Sequence, residues 1–308
     1  MDQLVEVERF LDTLRGFFKG RGYTEVVTPH LLPYPNLDEN VYPIPCTVEG
    51  IDGTAGRFFL HTSPEYAMKK LLARYKRDIF QICHVFRNRE GGRLNDFEFL
   101  MLEYYKIGWD YNYLMDEIGL LLLEIFGEEF TYRGKRVEVE PQKLELDEAY
   151  KTYLGLDLEL LFEDLEAFKK QLEERNIHFE PEEDEETLFF RTYVELERYL
   201  GWDRPTFVYG FPEPFGALAR CKNGRCERFE LYICGVELAN GYTEINDPKE
   251  VEKRLQEVAR TLSLPLDGEF VEIHKNLPPL YAGVSLGIDR LLMLKLGLNS
   301  IKELYFHY

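Results

Sequence analysis

Cysteine is sparse in this chain: five residues among 308, at positions 46, 83, 221, 226 and 234. An odd and dispersed set is not the framework of a small secreted disulfide domain, so reduced thiols are expected. Cys221 and Cys226 flank KNGR, whose Asn-Gly pair predicts a tight hairpin that would suit a cross-strand pair or half of a zinc site. Structural zinc takes four ligands, and no matching His or Cys cluster accompanies the two. Basic charge is also short, with 37 Lys and Arg against 56 Asp and Glu and a formal net charge of -19. That sign repels a polyanion over most of the surface and attracts a small cation. No run approaches the roughly 18 apolar residues that span a bilayer, and the opening MDQLVEVERF has no basic n-region. On these absences neither a spanning helix nor a signal peptide is expected, and the expected location is the cytoplasm, with no membrane partner. Internal repeats, low-complexity segments and linkers are absent as well.

What is present suits a large core: 45% hydrophobic and 14% aromatic residues. Apolar residues at 7, 10, 11, 14, 17 and 18 predict a helix over 5–18 that Gly20 and Gly22 stop. Residues 30–56 read as loop and short strands, and Ser63-Pro64-Glu65 opens a helix through AMKKLLARY. IFQICHVF (79–86) and FEFLMLEYYKIGW (97–109) predict a long hairpin with a charged tip, RNREGGRLND. Helical spacing recurs over 111–126, 160–174 and 185–200, the last opened by the acidic run 182–186. TFVYGF (206–211), RFELYICGVELANGYTEI (228–245) and YAGVSLGIDRLLMLKLG (281–297) read as strand, hairpin and strand-turn-helix, so the end of the chain is expected to be mostly sheet. The fold class is α+β, one domain over 1–308.

Three separated segments put charge on strands that otherwise alternate apolar and polar, and buried charge needs a reason. FRNRE (86–90) ends one strand with Arg87, and the returning strand carries Glu98, Glu103 and Tyr105. The 228–245 hairpin places Glu230, Glu237 and Glu244 seven residues apart with Asn240 between, and Arg290 sits in the first turn of a helix after a glycine. Together they supply arginines for a polyphosphate, carboxylates for Mg²⁺ and an ammonium, and phenylalanines for a base to stack on. That inventory suits nucleotide-dependent activation of a cationic amino acid.

On these residues the chain resembles class II aminoacyl-tRNA synthetases. RGYTEVVTP (21–29) is similar to their motif 1, FRNRE followed by FEFLMLEYY to motif 2, and GVSLGIDRLLML to motif 3. ELANGYTEIND (237–247) and TSPEYAMKKLL (62–72) resemble the lysine-type enzymes, above all the elongation factor P lysine ligase family, lysyl-tRNA synthetase paralogues that attach (R)-β-lysine to a lysine of that factor. The resemblance runs from about residue 5 to 300. It implies an antiparallel sheet flanked by helices, ATP and Mg²⁺ as cofactors, lysine or (R)-β-lysine as substrate, elongation factor P as acceptor and a homodimer. About twenty residues precede motif 1, too few for an anticodon-binding barrel, so tRNA is not expected as a partner.

The resemblance also implies roles for single residues. Arg87 holds the α-phosphate and the substrate carboxylate, and Arg290 clamps the γ-phosphate. Phe99 stacks adenine, with Asn88, Arg89 and Asp96 of the motif 2 loop lining the nucleotide and the backbone of Leu231 and Gly287 lying against it. Glu230 and Glu237 are the expected Mg²⁺ ligands. Glu103, Glu244 and Tyr105 receive the ε-ammonium, Glu65 the other amine and Asn240 the carboxylate end, with Ser63 and Pro64 shaping that wall. The chain departs from the family pattern where a His-Asn-Pro-Glu-Phe run is replaced by Asn95-Asp96-Phe97-Glu98-Phe99, at Arg89, which stands in place of an acid, and at Ser285 in motif 3.

Overall fold

The computed structural model describes residues 2–307, built around a nine-stranded sheet. In spatial order the strands are Thr24–Glu25, Ile79–Phe86, Glu98–Ile107, Tyr281–Gly287, Val236–Thr243, Arg225–Ile233, Thr206–Pro212 and Gln142–Glu145, with Cys221–Lys222 pairing onto Arg225–Ile233. Neighbours are antiparallel except at the two edges, where Thr24–Glu25 and Gln142–Glu145 run parallel to the strands they join. The expected antiparallel sheet is there, made mixed by its edges.

Side chains alternate between the two faces of each strand, and one face is apolar. Leu102, Tyr104, Val284, Leu286, Phe229 and Leu231 are buried there against the helices Gln3–Gly20, Tyr111–Phe126 and Ile288–Lys295. The first helix starts where the Asp2 carboxylate accepts from the Leu4 amide, and it turns Val7, Phe10, Leu14, Phe17 and Phe18 inward at helical spacing. Phe18 stacks on Phe80 at 5.1 Å between ring centroids. Among these apolar groups Glu117 is tolerated because Tyr23 and Tyr113 donate to its two oxygens at 2.6 and 3.2 Å.

The structure corrects several expectations. The helix predicted over 160–174 is two, Leu160–Glu163 and Leu165–Glu174, because Asp164 leaves helical geometry to cap the Ala167 amide. The stretch read as mostly sheet contains the helices Pro248–Leu262 and Gly268–Ile273. Asp247 caps the first and Pro248 opens it, a start signal that the strand pattern on either side overshadowed. Nor are all five thiols reduced: Cys221 and Cys226 form a disulfide. The Asn223-Gly224 turn sets them directly opposite each other in the hairpin register, with Cα atoms 3.9 Å apart. No helix among the described residues is long and apolar enough to cross a membrane.

Candidate active site

The second face of the sheet is polar, and register explains how. Directly opposed residues on adjacent antiparallel strands share a face. One such row crosses four strand junctions as Gln81, Glu103, Ser285, Asn240 and Glu230. The row one pleat away reads Tyr105, Gly283, Tyr242 and Arg228. Above these rows lies a cleft of about 670 Å³. The expected residues Ser63, Glu65, Arg87, Phe99, Glu103, Tyr105, Glu230, Glu237, Asn240, Glu244, Gly287 and Arg290 all line it.

At one end three carboxylates converge. Glu103 and Glu244 are buried, and Glu65 enters from the first turn of the helix Glu65–Tyr75. That helix also brings Lys69, fully buried, with its ammonium 2.6 Å from both Glu65 Oε1 and Glu244 Oε2. Tyr105 donates to Glu103 Oε1 at 2.6 Å. Burial pushes the Glu103 carboxyl up to about 7, with Glu65 adding to the rise and the Tyr105 and Ser63 hydroxyls opposing it. Burial likewise takes Glu244 to about 8 despite the Lys69 charge. Lys69 is held protonated, since the attraction of Glu244 and Glu65 outweighs its burial. Three acids around one ammonium leave the pocket short of positive charge.

The other end mixes arginines and acids. Arg87 donates to the Thr62 carbonyl at 3.3 Å and stands 5.2 Å over the Phe99 ring. Arg290 reaches the Glu237 carbonyl at 2.7 Å and Asn95 Oδ1 at 2.6 Å, so the loop and helix of motifs 2 and 3 are tied through one guanidinium. Arg228 meets Glu230 Oε1 at 2.6 Å and Asn240 Oδ1 at 3.3 Å. The hydroxyls of Tyr193 and Tyr232 lie 2.6 and 2.7 Å from Glu230 Oε2, and Tyr232 also lies 2.9 Å from Glu197. Burial and the neighbouring Glu230 push the Glu237 carboxyl up, against the pull of Arg290 and Arg87.

Some expected residues lie elsewhere. The Leu231 side chain is on the apolar face, in the core, whereas the expectation concerned its backbone. Asn88 caps the Arg89 amide at 2.9 Å, and Arg89 stacks on Tyr42 at 4.1 Å. Asp96 is engaged by Lys302 and by His307 Nδ1, whose Nε2 lies 2.8 Å from Asp289. These four and Pro64 are not on the cleft lining. The expectation missed Lys69, Arg228 and the Tyr193–Tyr232–Glu197 support of Glu230. A signal existed for Lys69, four residues after Glu65 on one helix face, and for Arg228, two before Glu230 on one strand face.

Comparison with known proteins decides what this architecture is. The family described as tRNA synthetases class II (D, K and N) matches residues 3–307. The chain belongs to that family. A protein of Aquifex aeolicus named elongation factor P--(R)-beta-lysine ligase homolog is 48% identical, over 99% of this chain and 99% of its own. An elongation factor P--(R)-beta-lysine ligase of Haemophilus ducreyi is 37% identical over 97% of this chain and 91% of its own, and one of Proteus mirabilis 35% identical over 97% and 93%. Within this class II synthetase scaffold, Arg87, in the segment similar to motif 2, and Arg290, in that similar to motif 3, both line the cleft.

Proposed function

We propose that this class II synthetase-like protein is an ATP-dependent, AMP-forming ligase. It activates (R)-β-lysine, or lysine, and transfers the acyl group to a lysine side chain of elongation factor P. The observation that carries the reading is the pocket of Glu65, Glu103 and Glu244 around Lys69, opening onto an arginine-lined half of the same cleft. A pocket with carboxylates in excess binds a substrate with ammonium groups, because each buried acid gains a partner that offsets its desolvation. Relatives that carry the ligase name over nearly the whole chain support the acceptor.

In the first half-reaction the substrate carboxylate attacks the α-phosphorus of ATP, forming an acyl-phosphate bond and releasing pyrophosphate. Arg87 donates to the oxygens on which charge grows, and Arg290 holds the far phosphate. Phe99, beside Arg87, offers the face on which adenine stacks. Glu230 and Glu237 fit Mg²⁺ as oxygen donors, for Glu237 has a carboxyl raised by burial and by Glu230, which a cation would relieve. When bound, Mg²⁺ neutralises phosphate charge. Tyr193 and Tyr232 fix the Glu230 carboxylate so that it points into the cleft. In the second half-reaction the acceptor amine attacks the acyl carbon, an amide forms, AMP leaves and the amine loses a proton.

We also propose a homodimer through the motif 1 region, where Val27 is 90% exposed, an apolar side chain that a partner would cover. Light scattering at twice the chain mass is the expected result. The function is tested by incubating the protein, ATP, Mg²⁺ and lysine or (R)-β-lysine with elongation factor P and separately with tRNA. A mass gain on the factor is expected. Labelled tRNA instead would make it a synthetase, and no transfer without pyrophosphate exchange would make it an inert relative.

A further inference from the structure

On the motif 1 side of the sheet, outside the cleft lining, three side chains meet whose chemistry the ligase reaction does not use. His61 is buried, 1% exposed, and its Nε2 lies 2.7 Å from the backbone oxygen of His84. A carbonyl only accepts, so Nε2 carries the proton and Nδ1 is left as a bare lone pair. That Nδ1 has no hydrogen-bond partner. An unmade bond on a buried acceptor is costly, and native structures rarely leave one without a reason.

Two further metal-ligand side chains adjoin His61. The ring of His30 stacks on His61 with centroids 4.7 Å apart and planes 16° from parallel. Cys83, a free and buried thiol, points to the same place from the strand Ile79–Phe86. One donor atom from each of the three lies within 4.8 Å of the others. The backbone holds this frame: the His61 amide donates to the His30 carbonyl at 2.9 Å, and the Phe86 amide to the His61 carbonyl at 3.0 Å. The outer carbonyl on Nε2 is the partner that orients an imidazole toward a metal.

We propose that His30, His61 and Cys83 bind one zinc-class divalent cation, with solvent in the fourth position on the more exposed His30 side. Two imidazoles and a thiolate match that ion's ligand preference, and a tetrahedral arrangement at bond lengths of about 2.0–2.3 Å requires the His30 ring to turn out of its stack on the anchored His61 ring, so that both in-plane lone pairs meet at one point with the Cys83 sulfur. Both imidazoles are ready as neutral ligands: burial takes His61 down to about 4 and lowers His30 as well. Burial raises the Cys83 thiol to about 12, so the metal–sulfur bond forms as the S–H bond breaks, and one proton passes to the buffer per ion bound. The site clips three segments of the chain together at the motif 1 edge of the sheet.

The test uses the full chain stripped with a chelator and titrated with Co²⁺. One equivalent should bind with a thiolate-to-cobalt charge-transfer band and tetrahedral d–d bands, be displaced by Zn²⁺ but not by excess Mg²⁺, and release one proton. His61→Gln and Cys83→Ser should each weaken Zn²⁺ binding by at least about 100-fold, and Cys83→Ser alone should abolish the charge-transfer band. Should either variant fold poorly, His30→Gln at the more exposed position should still weaken binding and blue-shift the d–d bands toward a solvent-rich site. Binding without a charge-transfer band, binding unchanged in these variants, or competition by Mg²⁺ would overturn the proposal.

Discussion

Lys69 and Glu244 stand 175 positions apart in sequence, and their Nζ and Oε2 atoms are 2.6 Å apart in a fully buried pair. Among the described residues Lys69 is the only cation paired with both Glu65 and Glu244, so its loss strands both acids. Lys69→Met should destabilise the free protein by about 3–5 kcal/mol, the usual cost of breaking a buried ion pair from one side. Chemical denaturation measures this. Addition of lysine should recover part of the loss in the variant, because a substrate ammonium supplies the missing charge; a variant as stable as the parent would remove Lys69 from the account.

Substrate affinity should rise with pH. Glu103 and Glu244 carry carboxyls raised to about 7 and about 8, above their value of 4.5 in an unfolded chain. The folded free protein therefore holds more protons than the unfolded one between these limits, and its stability falls as pH rises through them. A bound ammonium favours the ionised acids and expels those protons. Calorimetry in buffers of different ionisation enthalpy should find proton release near pH 7, and the thermal shift caused by lysine should be larger at about pH 8.5 than at about pH 6.

Gly283 separates Tyr105 from Tyr242 in the second polar row. A Cβ there would lie 2.4 Å from the Tyr105 ring and 2.7 Å from Glu244 Oε1. Gly283→Ala should raise KM for the amino acid at least about tenfold while leaving KM for ATP nearly unchanged, since the clash falls on the ammonium end alone. Steady-state pyrophosphate exchange with each substrate varied in turn gives both values.

Removal of a donor aimed at developing phosphate charge costs about 10²–10³ in rate. Arg87→Ala should lower kcat of pyrophosphate exchange by that order. Arg290→Ala should act more on KM for ATP, and it should also loosen the loop, because Arg290 holds Asn95. Protease nicking within 87–97, faster in Arg290→Ala than in Arg87→Ala, would register the second effect.

Alternation made the strands readable. Ile79–Phe86 and the return strand to Ile107 follow from apolar residues two apart, and the acids that interrupt this pattern mark the polar face. Register was not readable. Nothing local tells that Glu103, Ser285, Asn240 and Glu230 fall in one row, because pairing between distant strands is decided by the whole sheet. Lys69 illustrates the same gap: its spacing to Glu65 is local, but its second partner comes from the other end of the chain. At Leu231 the expectation concerned the backbone, and the side chain faces away from the site. One step along a strand from Glu230 turns a side chain to the opposite face, into the core. The Cys221–Cys226 bridge depended on turn geometry, which Asn-Gly announced, and composition alone argued the other way.

The polar rows also constrain how such a protein can change. Each row joins residues from separate strands, so a single insertion inside any of them would swap its inward and outward side chains and empty that column of the site. Substitution can reshape the pocket one side chain at a time, whereas length variation is confined to connections such as 88–97 and 245–280, which border the cleft without setting its register. Descendants of this scaffold would then diverge in loop length at the rim while the spacing from Glu230 to Glu244 stays fixed.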